Sequence, residues 1–264
     1  MISSSLSNPG KLYVIPTPIG NLDDITLRTL KIIKEIKYIA CEDTRRTRIL
    51  LSHFDLPGKT LISCFKENEF QRKDELRSLL EKGNNVALLS DAGTPGISDP
   101  GNLIVQEALA AGAKVIPLPG ASAVTTAISV AGFDASRFVF LGFIGKKGKE
   151  RKNDLIYLAN SQYPTVIYES PHRLGKTLAA LVEYCGSQRK ITIGREITKI
   201  HEEFVRGTIE EVNKYFKDNL IKGEFTLIIA PSNSEIPTIL PPLEKEITRL
   251  KKLGLSSKDI SKVL

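Results

Sequence analysis

The sequence predicts an α/β protein built as two successive α/β domains. Three observations carry that prediction. Short apolar strands alternate with amphipathic helices along almost the whole chain, the pattern of stacked strand–helix units. Residues 86–89 form a continuous apolar run, as expected of a strand buried on both faces. The rhythm restarts around residues 132–137 of 264, and that length suits two domains at about 150 residues each.

The elements follow in order. A strand at 11–16 precedes a helix at 25–36, where Leu27, Leu30, Ile33 and Ile36 share one face. Strands at 38–41 and 61–65 lead to a helix at 67–81, closed near Gly83. The run 86–89, a helix at 103–111, a strand at 114–118 and an Ala-rich helix at 121–131 complete a first domain over 11–131. The second domain, 137–230, opens with a strand at 138–143 and a basic Gly/Lys loop at 145–152. It continues with a helix at 153–160, a strand at 165–168 and a helix at 172–184 striped by Leu174, Leu178 and Leu181. Strands at 190–194 and 204–207, a helix at 209–216 and a strand at 225–230 finish it. Four prolines make 231–242 a linker. Residues 243–264 read as a short, incomplete helical appendage.

Composition bounds the function. With 41% hydrophobic and 25% charged residues, the chain is an ordinary globular one. No apolar run reaches the roughly 18 residues that span a bilayer. The Ser-rich start has no signal-peptide pattern, which predicts a cytoplasmic protein. Three scattered cysteines and three histidines predict free thiols and no metal site. The net charge of +7 lies entirely beyond residue 135. Residues 137–152 hold six basic side chains and one acidic, and 245–262 hold six and two. Such segregation suits a polyanionic partner.

The loops carry the chemistry. SDAGTPGISDPG, 90–101, directly follows an apolar strand. Open α/β sheets bind ligands at strand C-terminal ends. Glycines there allow close approach, Asp91, Thr94 and Ser98 supply polar handles, and Asp99 is a candidate helix cap. PGASA, 119–123, offers small residues and open amides at another strand–helix junction. PTPIGNL, 16–22, contains two prolines, which lack N–H groups, and neither GxGxxG nor a P-loop is present. That pattern counts against NAD and ATP and leaves room for a ligand without phosphates. EDTRRTR, 42–48, suits either a helix cap or a substrate contact. FLGFIGKKGKER, 140–151, runs from an aromatic strand end into a cationic stretch suited to nucleic-acid phosphates. YESPHRL, 168–174, and GREITKIHEE, 194–203, place Glu, Lys and His after strands as proton acceptors. Structural ion pairing competes with that role in both.

These blocks, with PTPIGNLDDIT and ACEDTRRT, together resemble the bacterial small-subunit ribosomal RNA 2′-O-methyltransferase I family of the tetrapyrrole (corrin/porphyrin) methylase superfamily. The resemblance spans about 11–230. It implies two α/β domains of the tetrapyrrole methylase type, usually paired as a homodimer, with S-adenosylmethionine in the cleft between them. It implies methyl transfer to the ribose 2′-oxygen of a cytidine in the decoding region of 16S ribosomal RNA, free or in the small ribosomal subunit. It assigns the cofactor to Pro16, Asp91, Gly93, Thr94, Ile97, Ser98, Ser122 and Ala123 from the first domain. From the second it adds Tyr168, Glu224, Phe225 and Thr226. Lys199, His201, Glu169 and Glu42 all stay open as the base. Lys146, Lys147, Lys149, Arg151 and Lys152 are expected to grip RNA, with Arg173 and Arg195 at the cleft rim. The competing readings are a tetrapyrrole C-methylase and an RNA-binding assembly factor with a relict pocket.

Overall fold

The computed structural model describes residues 8–219 and 221–232, and beyond them 247, 250–252, 254, 256, 259 and 260. The expected linker and appendage, and with them the basic segment 245–262, lie largely outside the described residues.

Five strands form a first sheet: β1 (Lys11–Ile15), β2 (Tyr38–Cys41), β3 (Thr60–Ser63), β4 (Val86–Leu89) and β5 (Lys114–Pro117). All run parallel, in the order β3-β2-β4-β1-β5. β4 is central and all four of its residues are buried, because the sheet is covered on both faces. Alternate residues of the strand face opposite sides. Ala87 and Leu89 pack with Ile33 of α1 (Leu27–Glu35) and with Leu50 and Leu51 of α2 (Thr44–His53). Val86 and Leu88 pack with Leu76 and Leu80 of α3 (Glu69–Glu81) and with Ile104 and Ala108 of α4 (Asn102–Ala110). The chain leaves β1 toward β2 and leaves β4 toward β5, in opposite directions along the sheet. The crevice between β1 and β4 is therefore a switch point, where ligands collect at the strand C-terminal ends.

Local capping fixes the helix starts. Thr26 accepts from the Thr29 amide ahead of α1, and Asp43 from the Arg45 amide ahead of α2. Asp99 does not cap α4, contrary to the expectation from sequence. The N-cap is Gly101, and a residue of α3 supplies the acceptor: Glu69 Oε1 takes the Gly101 and Leu103 amides at 2.9 and 3.1 Å. Asp99 is left free to face elsewhere.

The second sheet is mixed. It contains β6 (Val139–Phe143), β7 (Thr165–Glu169), β8 (Lys190–Arg195), β9 (Glu203–Thr208) and β10 (Phe225–Ile229), in the order β6-β7-β10-β8-β9. β6 and β7 are parallel and the other neighbours antiparallel. One face, with Ile167, Ile193 and Leu227, is covered by Leu155 and Leu158 of α6 (Gly148–Asn160), Leu174 and Leu178 of α7 (Pro171–Cys185) and Val212 of α8 (Ile209–Asp218). The opposite face, with Val166 and Ile228, receives Val124, Ala127 and Ile128 of α5 (Ala123–Ser129). The helix that follows β5 thus packs on the second sheet and ties the two halves together. Thr192 adds a bond to the Ala131 carbonyl at 2.9 Å.

The stretch 145–152, expected to be a loop, is helical from Gly148 onward. Its Lys, Arg and Glu residues are good helix formers. Asp154 draws in the preceding turn by accepting the Gly145 amide at 2.8 Å. Pro171 opens α7, and Thr208 with Glu211 forms a capping box on α8. Cys41, Cys64 and Cys185 are free thiols. Among the described residues, no helix is long and apolar enough to cross a membrane.

Candidate active site

Because the first sheet is parallel, the loops after β1, β2, β4 and β5 emerge at one end. Backbone bonds knit them into one floor. Thr17 and Gly93 exchange N–H···O bonds at 2.9 Å in both directions. The Thr17 hydroxyl donates to the Ser90 carbonyl and the Ser90 hydroxyl to the Gly93 carbonyl, both at 3.0 Å. Thr94 donates to the Ala121 carbonyl at 3.3 Å.

The second half closes over this floor. Gly20 has no room for a side chain: a Cβ there would lie 2.5 Å from Lys199 Cγ and 3.0 Å from the Ile197 carbonyl. Ser98 adopts a left-handed φ of 62°, which a side-chain-bearing residue rarely holds. Above it sits Gly142, where a Cβ would come within 2.8 Å of the Ser98 hydroxyl oxygen. Between these contacts lies a cavity of about 290 Å³.

Gly93, Thr94, Ile97, Ser98, Ser122 and Ala123 line the cavity from the first half, and Tyr168, Glu224, Phe225 and Thr226 from the second. Pro16 and Asp91 stand outside it. Pro16 backs Gly120, at a distance that excludes a side chain there. Asp91 turns to the β2–α2 corner, accepts the Asp43 amide at 2.9 Å and pairs with Arg46 at 3.6 Å. The sequence reading missed Ile19, Phe143 and Ile197 as lining residues, and missed Asp99 at the cavity edge. Ile19 and Ile197 pack with Val124, Ala127 and Ile128 of α5, so their signal in the sequence is that of core, whereas Phe143, at the end of β6, is a large apolar side chain left exposed.

The electrostatics are one-sided. Among the described lining residues are three carboxylates, Asp99, Glu169 and Glu224, and no Lys or Arg. Tyr168 sits against Phe140 and Phe143, with ring centroids 5.0 and 5.5 Å away. Burial first, and then the nearby Asp99 and Glu224 charges, push its phenol up to about 12. It therefore stays protonated and can donate.

The candidate bases differ in freedom. Lys199 Nζ lies 2.8 Å from Glu196 and 3.1 Å from Glu224. Burial alone would lower its pKa, but the bonds to these carboxylates hold the ammonium above its ordinary value. Lys199 is thus kept charged and is a poor proton acceptor. His201 is exposed and does not line the cavity. Glu169 is fully buried and both its oxygens are engaged, by the Ser170 amide at 2.7 Å and the Thr177 hydroxyl at 2.6 Å. Glu42 lies beyond the cavity, its carboxyl raised by burial and then by Asp91.

The basic residues also divide. Lys146, Lys147, Lys149 and Lys152 are exposed and make no ion pair among the described residues. Arg151 and Arg173 brace the turn before α6, donating to the Gly145 carbonyl at 3.4 and 3.2 Å. Arg195 donates to the Lys222 carbonyl at 2.8 Å and pairs with Glu203.

Comparison with known proteins gives a family, two relatives and a shared fold. Residues 11–213 match the model of the tetrapyrrole (corrin/porphyrin) methylases. The chain is 45% identical to the ribosomal RNA small subunit methyltransferase I of Synechocystis sp., over 86% of this chain and 81% of that protein. It is 43% identical to the Thermotoga maritima protein of the same name, over 84% of this chain and 98% of that one. Its fold also matches the uroporphyrin-III C-methyl transferase of Thermus thermophilus, solved with S-adenyl homocysteine, at a TM-score of 0.59 and 18% identity over 83% of this chain and 97% of that one.

Proposed function

The chain belongs to the tetrapyrrole (corrin/porphyrin) methylases and, within them, to the ribosomal RNA small subunit methyltransferase I family, and from that premise we propose that it moves a methyl group from S-adenosylmethionine to the 2′-oxygen of a cytidine in the decoding region of 16S ribosomal RNA. On the same reading it acts in the cytoplasm as a homodimer. The observation that carries the cofactor assignment is the composition of the cavity. Two of its three carboxyls are already paired, Glu169 with Arg173 and Glu224 with Lys199, and the lining presents no Lys or Arg to a phosphate. It suits a phosphate-free ligand with a sulfonium and an ammonium. Identity to RNA methyltransferases at 45%, against 18% to the tetrapyrrole enzyme, favours RNA as the acceptor.

The residues present fit that cofactor. Ile19, Ile97 and Ile197 give an apolar surface for the adenine. Thr94, Ser122 and Thr226 give hydroxyls for its polar edges, and Glu224 gives a partner for the amino group. When bound, the cofactor supplies an electrophilic methyl on positively charged sulfur. The protein's task is then to hold the acceptor in line and exclude water, since in-line positioning carries most of such a displacement. Tyr168, closing the cavity from the second half with a protonated phenol, can direct a hydrogen bond inward.

Calorimetry with S-adenosylmethionine tests the cofactor assignment. One saturable site is expected, and absence of both binding heat and a thermal upshift would remove the methyltransferase reading. The RNA face is assigned to the exposed lysines at the start of α6. Replacing Lys146, Lys147 and Lys149 by Gln is expected to weaken binding to small-subunit RNA and reduce its salt slope by up to about 3, near one unit per lost phosphate contact. An unchanged slope would place those lysines away from RNA.

A further inference from the structure

β6 breaks the regular alternation of a strand. Phe140 pairs with Val166 and Gly142 with Ile167, so Leu141 is an extra residue against β7. In a regular strand, residues three apart face opposite sides of the sheet. Phe143 would then join Leu141 on the face covered by α6 and α7. The bulge instead turns Phe143 to the side of Phe140, and both rings meet Tyr168, with centroids 5.5 and 5.0 Å away. Gly142 absorbs the extra residue at a left-handed φ of 67°. Bulges beside active sites re-aim side chains in this way. The re-aimed ring lines the cavity yet stays 55% exposed, which places it at the mouth. A ring moved from core to solvent forfeits its burial, and a ligand that covers it would restore that loss.

We propose that Phe143 is the stacking platform for the base of the nucleotide being methylated, an unstacked pyrimidine of RNA, an assignment that rests on the methyltransferase reading above. A cavity of about 290 Å³ stands at the lower end of ligand pockets. The methyl donor fills it, so the acceptor ribose meets the methyl at the mouth and its base lies outside. Bases splayed out of RNA are held on aromatic faces. Ile97 and Phe143 are the large apolar lining residues left exposed, and of the two only Phe143 presents a ring face.

The segment that follows suits the same nucleotide. Lys146, Lys147 and Lys149 come three, four and six residues after Phe143 and are exposed. Three or four extended residues span at most about 10–14 Å, so the ring and the nearest ammonium groups can serve one nucleotide and its adjoining phosphates. The link between them is pinned. Ile144 is buried in the core under α6 and α7. Asp154 holds the Gly145 amide at 2.8 Å, and Arg173 holds the Ile144 and Gly145 carbonyls at 2.8 and 3.2 Å. Tyr168, itself packed on Phe140, supports the ring from one side. A ring held in place before the base arrives loses little freedom on binding. The lysines then position the backbone without regard to sequence, and the ring receives the base.

Three variants test the platform: Phe143→Ala, Phe143→Leu and Phe143→Trp. All should melt near wild type and bind S-adenosylmethionine in calorimetry with nearly unchanged affinity. At limiting concentrations of small ribosomal subunits that lack the modification, Phe143→Ala and Phe143→Leu should transfer the methyl about 10–100-fold more slowly, the scale of one lost base–aromatic stack. Phe143→Trp, which keeps a ring face, should retain the rate. Leu keeps apolar bulk against Tyr168, so its loss separates stacking from packing. The salt slope of subunit binding should stay unchanged in Phe143→Ala, because no phosphate contact is removed. The sequence contains no tryptophan, so Phe143→Trp also supplies a single fluorophore, and S-adenosylmethionine alone should leave its emission unquenched. An Ala or Leu variant with the wild-type rate would overturn the assignment. So would a strong quench by the cofactor alone, or a fall in cofactor affinity as large as the fall in transfer, since either puts the ring on the adenine. Wild-type protein that transfers nothing would instead fail the methyltransferase reading itself.

Discussion

Glu169→Ala is expected to destabilise the protein by about 3–5 kcal/mol, the usual result of removing one partner from a buried charged network. The Glu169 carboxylate is wholly buried at the end of β7. It holds the Ser170 amide and the Thr177 hydroxyl and lies 3.4 Å from the Arg173 guanidinium. Arg173 in turn holds the Ile144 and Gly145 carbonyls at 2.8 and 3.2 Å. One deletion therefore loosens the junction of β6, β7 and α7, which forms a wall of the cleft. Urea unfolding should show a clear fall in midpoint. Glu169→Gln should lose less, because an amide still offers an oxygen to the Ser170 N–H and the Thr177 hydroxyl can rotate to accept. An Ala variant as stable as wild type would contradict this bracing role. A Gln variant that folds normally yet loses all methyl transfer would return Glu169 to the place of base.

Ala123→Phe is expected to abolish cofactor binding while leaving the fold in place. Ala123 opens α5 and lines the cavity. An aromatic ring there enters open space rather than core, so the melting temperature should change little. Affinity should fall at least about 100-fold, near 2.7 kcal/mol. Calorimetry reads the loss and a thermal melt checks the fold. Undiminished binding in the variant would move the cofactor out of this cleft.

The ionisation of Asp99, whose carboxyl is pushed up by burial first and then by the Glu42 and Asp91 charges, leaves a mark on stability. Its folded pKa of about 7 lies above that of an unfolded Asp, near 3.9. Between those values the folded state binds more protons, so stability falls as pH rises across the window. Asp99→Asn should remove that slope, melting above wild type at pH 8 and close to it at pH 4. After discounting for the water that reaches this half-buried side chain, the gain at pH 8 is about 1–2 kcal/mol.

The layering was legible in the sequence wherever period and burial agreed. The apolar run at 86–89 needed a covered sheet on both sides, and its alternate residues do face two helix layers. Loops rich in Gly and Pro after strands pointed to the ligand-bearing end, because parallel strands bring such loops together. Side-chain direction inside those loops was not legible. Asp91 and Asp99 sit in the same segment, yet one braces Asp43 and Arg46 while the other lines the cavity. The difference arises from the turn at Ser98 and from Glu69, a residue of α3, taking over the cap of α4. Both depend on contacts remote in sequence. The start of α6 was hidden in a similar way. Its glycines and lysines read as a loop, whereas the Asp154 side chain and the apolar stripe of Leu155 and Leu158 continue the helix back to Gly148.

The most direct measurement is transfer of a radiolabelled methyl group from S-adenosylmethionine to small ribosomal subunits that lack this modification, followed by nuclease mapping and nucleoside analysis. The expected result is one labelled position in the decoding region of 16S RNA, recovered as 2′-O-methylcytidine. Label on a base, label elsewhere in the RNA, or no label from protein that binds the cofactor would contradict the account.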